Sequence, residues 1–105
     1  MKNEDRLIAE ELKKRLSTLV AVVDFRVLGS QARDYAKGYS DLDIFLEVEA
    51  LDEGIKDRMV KIVWEVGFEN HRVISPHIFT RNEVENSLRQ SLPILKNITA
   101  DGMPI

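Results

Sequence analysis

The stretch VAVVDFRVLGSQARDYAKGYSDLDIFLEV, residues 20–48, decides the fold. Its first part, Val20–Leu28, is rich in β-branched residues, which predicts a mostly buried strand. Its last part, Asp41–Val48, alternates between apolar and polar side chains, which predicts a second strand with one face in the core. Between the two strands, Gly29 stops the first one and a short helix is expected over Gln31–Tyr35.

The elements around this stretch follow from hydrophobic spacing. Apolar residues at helical spacing predict an amphipathic helix over Glu4–Ser17 and another over Leu51–Val66, with Gly67 expected as its C-cap. A third strand is expected over Arg72–Thr80. Because proline cannot donate a hydrogen bond to a central ladder, Pro76 predicts that this strand is an edge or is bulged.

The C-terminal third is predicted to be helical. Thr80-Arg81-Asn82-Glu83 has the spacing of a capping box and opens a helix that runs to about Leu88. A short apolar helix is expected over Leu92–Ile98, and the chain end Met103–Ile105 either folds back onto the sheet or contacts a second subunit. The predicted order is α-β-α-β-α-β-α-α, an α/β (α+β) fold with helices on one face of a sheet.

Composition limits the possible functions. The 105 residues are expected to form a single domain, residues 1–105, and a homodimer would help so small a core. The net charge of -3 gives no strong field for nucleic acid or anionic lipid. No apolar run is long enough for a membrane span or resembles a signal peptide, and there is no cysteine, so we expect a cytoplasmic location.

One cluster of residues carries chemistry. Gly29-Ser30, between a strand and a helix, allows a close backbone approach and presents N–H groups and a hydroxyl to phosphates. Arg33 is a forked donor for the same anion. Asp41 and Asp43 project from one face of a strand, and two close carboxylates repel each other unless a cation such as Mg²⁺ or Mn²⁺ lies between them. Each motif alone is typical of a turn or a solvated surface, but their combination favours a metal-dependent nucleotidyl-transfer site.

The segments Val27–Arg33 and Ser40–Leu46 together resemble the Gly-Ser-x10-Asp-x-Asp signature of the minimal nucleotidyltransferases, within the DNA polymerase β-like superfamily. The resemblance implies a small mixed sheet of the polymerase palm type, an NTP (ATP expected) with Mg²⁺ or Mn²⁺, and transfer of a nucleoside monophosphate. It implies the roles of phosphate-binding residues for Gly29, Ser30 and Arg33, and of catalytic metal ligands for Asp41 and Asp43. It also implies a helical HEPN-type protein as a partner in a toxin–antitoxin pair.

The chain departs from this family pattern in two places. Asp34 stands where a glycine often follows the arginine. Active relatives also carry a third acid on the next core strand, whereas residues 72–79 contain no Asp or Glu. Glu69 is the nearest acid by sequence, although a solvated turn is its commoner role. His71 and His77 are the other candidates, as a weaker base or ligand, although a surface or edge-strand position is the commoner role of each.

Three functions remain open at this point. The first is an NTP- and Mg²⁺-dependent nucleotidyltransferase that modifies a hydroxyl on a protein, an RNA or a small molecule. The second is a catalytically weak nucleotide-binding module that acts as antitoxin or partner of a HEPN-type protein. The third is a nucleotide sensor without chemistry.

Overall fold

A computed structural model describes residues 3–28, 41–89 and 102–105. These ranges contain three helices and four strands, which in chain order are α1 (Asn3–Ser17), β1 (Val22–Val27), β2 (Leu42–Val48), α2 (Glu53–Glu69), β3 (Ile74–Thr80), α3 (Arg81–Arg89) and β4 (Met103–Pro104). Each strand and helix predicted within the described ranges is present, with ends shifted by up to three residues. The short helices predicted over residues 31–35 and 92–98 lie outside the described residues.

The four strands form one small mixed sheet in the order β3-β2-β1-β4. β1 is antiparallel to β2 and to β4, whereas β2 and β3 are parallel. The α/β architecture with a small mixed sheet is therefore confirmed. The chain end folds back onto the sheet, because Met103 pairs with Val27 and the amide of Ile105 donates to the carbonyl of Phe25 at 2.9 Å.

One face of the sheet, which we call the covered face, packs against α1 and α2. The even-numbered residues of β2 point to this face, as the alternation of its sequence predicts. Together with α1, α2 and β1 they form the main core, whose most deeply buried members are Ala9, Leu12, Leu16, Phe25, Val27, Leu42, Ile44, Leu46, Val48, Met59 and Val66.

A buried ion pair joins α1 to the segment before β3. Asp5 in the first turn of α1 is only 2% exposed, and it accepts a hydrogen bond from the guanidinium of Arg72. A buried carboxylate is costly unless it is paired, so this contact is what allows Asp5 to lie in the core. The pair fixes the N-terminal helix against the start of the third strand.

α2 ends later than its sequence predicts. Gly67 was expected as the C-cap, but the helix continues to Glu69 and Asn70 is the C-cap. The glycine serves close packing instead: a Cβ on Gly67 would lie 2.6 Å from the carbonyl oxygen of Arg72. The amide of Arg72 also donates to the carbonyl of Gly67 at 2.8 Å, so the chain turns back tightly against the helix here.

β3 is an edge strand, as Pro76 predicts. The amide of Leu42 donates to the carbonyl of Val73 at 2.9 Å, so the backbone groups of Val73 point toward β2. Because backbone groups alternate in direction along a strand, those of Ile74, Pro76 and Ile78 point toward the free edge. The proline therefore removes no hydrogen bond from the sheet.

The other face, which we call the open face, is covered only in part within the described residues. The capping box is formed: the amide of Glu83 donates to the Thr80 hydroxyl and the amide of Thr80 donates to the Glu83 carboxylate, both at 3.1 Å. α3 thus begins directly after β3, and no linker separates the two that would allow α3 to reach the covered face, where α1 and α2 lie. It places Val84 against Phe45 on the open face, so the helices do not all share one face.

Candidate active site

The two aspartates predicted as metal ligands lie at the start of β2 on the open face. Asp41 immediately precedes the strand and is exposed, and the side chain of Asp43 is 44% exposed. Their neighbour Leu42 points the other way and is fully buried. The alternation of the strand therefore holds both carboxylates at the surface while its apolar residues anchor the backbone beneath them.

The strand β3 brings two polar side chains to this acid pair. Because β2 and β3 are parallel and in register, Asp43 lies beside Ser75 and Phe45 lies beside His77. The hydroxyl of Ser75 donates to Asp41 Oδ2 at 3.3 Å. His77 Nε2 lies 3.7 Å from Asp43 Oδ1. The site thus contains two carboxylates, a hydroxyl and an imidazole.

The described residues on either side of the segment 29–40 lie at the acid pair. The amide of Leu28, the last described residue before the segment, donates to the carbonyl of Asp43 at 2.8 Å. Asp41 is the first described residue after it. The predicted phosphate-binding residues Gly29, Ser30 and Arg33, like Asp34, lie outside the described residues. The described residues that flank the segment, Leu28 and Asp41, nevertheless both lie at the acid pair.

An apolar cluster supports the middle of the open face. The rings of Phe45 and Phe79 have centroids 5.8 Å apart and are tilted by 34°, and Val84 of α3 and Leu28 complete the cluster. Phe45 is fully buried although it belongs to the polar series of β2. The cluster separates the acid pair from the charges at the far end of the strand.

Those charges surround Glu47. Glu47 pairs across the strands with Asp24, which accepts a hydrogen bond from Arg26 Nε at 2.8 Å. Burial raises the pKa of Glu47 above its ordinary value, and the charge of Asp24 raises it further, although Arg81 opposes the shift. This end of the face is a structural charge network, whereas the acid pair at the other end has exposed side chains.

Glu69 and His71 are not brought to the acid pair. Glu69, the nearest acid by sequence, ends α2 and binds Arg15 of α1, with Nη2 and Oε2 2.7 Å apart. Hydrogen bonds to Glu69 and Glu11 raise the pKa of Arg15 above its ordinary value. His71 is exposed, with a backbone φ of 52°, in the turn after α2.

An exposed apolar patch, consisting of Trp64, Phe68 and Val73, lies beside that turn. Their exposed fractions are 75%, 84% and 64%. Trp64 and Phe68 are four residues apart on α2, so they share one face of the helix. Together with His71 they line a cavity of about 340 Å³. Apolar patches of this kind are typical of interaction surfaces.

The donor set suits a divalent ion that arrives with a nucleotide. Among the residues that the structure describes, no three His, Asp or Glu side chains converge closely enough to hold a metal ion by themselves. Mg²⁺ usually binds one or two carboxylates, keeps several waters and takes its other ligands from substrate phosphates. Asp41 and Asp43 are oxygen donors on one exposed surface and fit that manner of binding.

Comparison with protein families found a match, described as "Nucleotidyltransferase domain", over residues 9–102. This range includes the acid pair, the segment 29–40 and all of β1, β2 and β3. The chain belongs to the nucleotidyltransferase domain family. The resemblance drawn from residues 27–46 is therefore confirmed at the level of the family. Comparison with curated proteins found no match.

The general activity of this family is nucleotidyl transfer from an NTP, and it generally involves a divalent metal. No helix in the described ranges is long and apolar enough to cross a membrane.

The sequence interpretation missed Ser75, which contacts Asp41. Its position in the sequence could have indicated it: Ser75 and His77 are two residues apart on a strand, so they share the face of β3 that adjoins Asp43.

Proposed function

We propose that this nucleotidyltransferase domain transfers a nucleoside monophosphate from an NTP, with ATP expected, to a hydroxyl group of a protein, an RNA or a small molecule. Asp41 and Asp43 would hold Mg²⁺ or Mn²⁺, and Gly29, Ser30 and Arg33 would bind the triphosphate. A cytoplasmic location, where ATP and Mg²⁺ are abundant, is part of the proposal. The observation that carries it is that Leu28 and Asp41, the described residues that flank the segment 29–40, both lie at the acid pair.

In the reaction, the acceptor oxygen attacks the α-phosphorus, a new P–O bond forms, and the bond from that phosphorus to the pyrophosphate oxygen breaks. The proton of the acceptor hydroxyl passes to a base, and pyrophosphate leaves. When bound, the metal neutralises charge on the phosphates and polarises the reacting phosphoryl group.

The residues of the chain then have distinct tasks. Asp41 and Asp43 would hold the metal and its triphosphate from the start of β2, which would favour in-line attack. The hydroxyl of Ser75, hydrogen-bonded to Asp41 Oδ2, orients that carboxylate. The buried cluster beside the site, centred on Phe45, fixes the backbone of β2.

The experiment uses the whole chain and ATP labelled at the α-phosphate, with Mg²⁺ or Mn²⁺ and an extract of the source cells as acceptor. We expect label transfer and pyrophosphate release by the wild type. Asp43→Asn should lower transfer by at least about 10²-fold, because a metal ligand is lost. Asp57→Asn, an equally conservative change at an exposed position of α2, is the matched control and should retain full transfer.

Thermal unfolding of both variants shows whether the fold is intact. Full activity in an Asp41→Asn, Asp43→Asn double variant would dismiss the assignment of the acid pair.

Two observations support a second candidate, the catalytically weak module that binds nucleotide and acts as partner of a helical HEPN-type protein. First, β3 presents Ser75 and His77 to the acid pair, where the resemblance leads one to expect a third acid. Second, Trp64 and Phe68 leave an apolar helix face open to a protein partner.

The two candidates differ in a binding experiment. The weak module binds ATP with Mg²⁺, measured by calorimetry, but transfers no label, and it copurifies with a small helical protein. A Trp64→Ala, Phe68→Ala variant should then lose the partner and keep ATP binding. Label transfer at rates typical of enzymes, with no partner copurified, would reject this second candidate. No heat with ATP and Mg²⁺ would reject both candidates and the nucleotide sensor.

A further inference from the structure

The position of His77 suggests a task that none of the motifs assigns to it. It lies on β3, next to β2, with Nε2 3.7 Å from Asp43 Oδ1. That separation is too long for a strong hydrogen bond, so the carboxylate does not hold the imidazole in place. The side chains of His77 and Asp43 are 48% and 44% exposed, which leaves the donor atoms of both accessible from the same surface.

The separation is close to that of two ligands on one ion. Metal–nitrogen and metal–oxygen bonds are about 2.0–2.2 Å long, so two donors on one ion at tetrahedral or octahedral angles lie roughly 3.0–3.5 Å apart. His77 and Asp43 therefore need to approach by only a few tenths of an ångström. A small side-chain rotation achieves this, because the paired strands already fix the two backbones.

We propose that His77 supplies a nitrogen ligand to the divalent ion at Asp43, and that the site consequently prefers Mn²⁺ to Mg²⁺. The inference rests on the proposed function, because the phosphates of the nucleotide and water complete the coordination. Mg²⁺ strongly prefers oxygen ligands, whereas transition-metal ions accept imidazole readily. One nitrogen donor in an otherwise oxygen-based site therefore shifts the balance between the two ions.

The chain offers a matched control, since its only histidines are His71 and His77. His71 lies in the turn after α2, beside Trp64 and Phe68, and not beside Asp43. His77→Ala removes the proposed ligand, and His71→Ala removes the same side chain elsewhere. His77→Gln keeps a polar group of similar size, so a loss of metal binding in this variant as well is not explained by a folding defect.

The test measures coordination directly. Full-length protein with histidine labelled by heavy nitrogen is mixed with Mn²⁺ and ATP, and pulsed electron paramagnetic resonance detects nitrogen nuclei bound to the manganese. The isotope separates histidine nitrogen from adenine nitrogen. We expect a histidine-nitrogen coupling in the wild type and in His71→Ala, and none in His77→Ala or His77→Gln.

Calorimetry gives the second readout. Loss of an outer-shell partner already lowers metal affinity by roughly 10-fold or more, so loss of a direct ligand should lower the affinity for Mn²⁺ with ATP at least as much. The affinity for Mg²⁺ with ATP should change by less than about 3-fold, because Mg²⁺ gains little from imidazole.

The outcomes separate this inference from the proposed function. If ATP and Mn²⁺ bind to the wild type without a histidine-nitrogen coupling, the role of His77 is wrong and the proposed function stands. The role of His77 is equally wrong if the coupling persists in His77→Ala. If the wild type binds neither ATP with Mn²⁺ nor ATP with Mg²⁺, both are overturned.

Discussion

The two faces of the sheet differ in how deeply their side chains are buried, although they are built from the same strands. On the covered face, the even-numbered residues of β2 are buried against α1 and α2, and the polar Asp5 is buried there only as the partner of Arg72. On the open face, Asp43 and His77 stay about half exposed and lie 3.7 Å apart without a strong bond. The covered face stabilises the fold, and the end of the open face that carries Asp43 and His77 keeps its side chains exposed.

This comparison shows how one alternating strand separates stability from chemistry. Asp43 and Ile44 are adjacent in the chain, yet one is a candidate metal ligand and the other is 1% exposed in the core. A rigid backbone fixed from the covered face gives the open face its geometry. If this view is correct, substitutions on the two faces must have separable effects.

The largest effect on stability is expected at the buried ion pair. Asp5→Ala removes the buried carboxylate that pairs with the guanidinium of Arg72, whose side chain is 17% exposed. Breaking a buried pair from one side costs about 3–5 kcal/mol, so the free energy of unfolding in urea should fall by about that amount. Glu4→Ala, at the exposed neighbouring position, should change it by less than about 0.5 kcal/mol. Equal effects of the two variants would show that the pair is not buried in solution.

The adjacent residues of β2 give the sharpest test of the two faces. Ile44→Ala should lower the free energy of unfolding by about 2–5 kcal/mol, because it leaves a cavity in the core. Asp43→Ala should change it by less than about 0.5 kcal/mol, because its side chain is exposed and lies beside another carboxylate. Urea unfolding of both variants checks this. A large loss in Asp43→Ala would contradict the separation of stability from chemistry.

The two glycines of α2 should respond in opposite directions. Gly67→Ala places a Cβ 2.6 Å from the carbonyl oxygen of Arg72, and we expect a loss of about 1–3 kcal/mol. Gly54→Ala meets only Asp52 Oδ1 at 3.4 Å, and alanine is the better helix former, so a gain of about 0.5–1 kcal/mol is expected. Thermal unfolding measures both. A neutral Gly67→Ala would mean that the turn after α2 relaxes without cost.

The smallest effect concerns pH and the far end of the open face. Because burial raises the pKa of Glu47 above its ordinary 4.5, the native state holds this proton more tightly than the unfolded state does. The contribution of Glu47 is therefore most favourable below the ordinary pKa and is lost as the pH rises through the raised value.

We expect Glu47→Gln to be more stable than the wild type at neutral pH, with the difference disappearing in acid. Urea unfolding across the pH range measures this. Glu65→Gln, exposed on α2, should leave the pH dependence unchanged. A Glu47→Gln variant that is less stable at neutral pH would reverse the sign of the argument.

Local patterns predicted most of the fold. The alternation of β2 assigned Leu42 and Asp43 to opposite faces, Thr80 and Glu83 predicted the start of α3, and Pro76 predicted the edge strand. Each depends on residues close together in the chain. Gly67 shows where such a pattern misleads: a glycine near a helix end is typical of a C-cap, but here it allows the close approach of Arg72, which no local rule reveals.

The candidate site was only partly predictable for a similar reason. The two aspartates were found by their spacing, and their tasks remain predictions. The contacts of Ser75 and His77 depend on the parallel register between β2 and β3, which is set by packing across the sheet. Likewise, nothing near Glu69 in the sequence predicts its pairing with Arg15, 54 residues away.

The outward-facing nitrogen of Pro76 has a consequence for how this domain meets other chains. A peptide or a second copy aligned along the outer side of β3 would find no N–H donor in the middle of the strand, and at the opposite border the described residues of β4 are Met103 and Pro104. Strand exchange and edge-to-edge stacking are thereby disfavoured. We therefore expect protein partners to be recognised through side chains and not by lengthening the sheet.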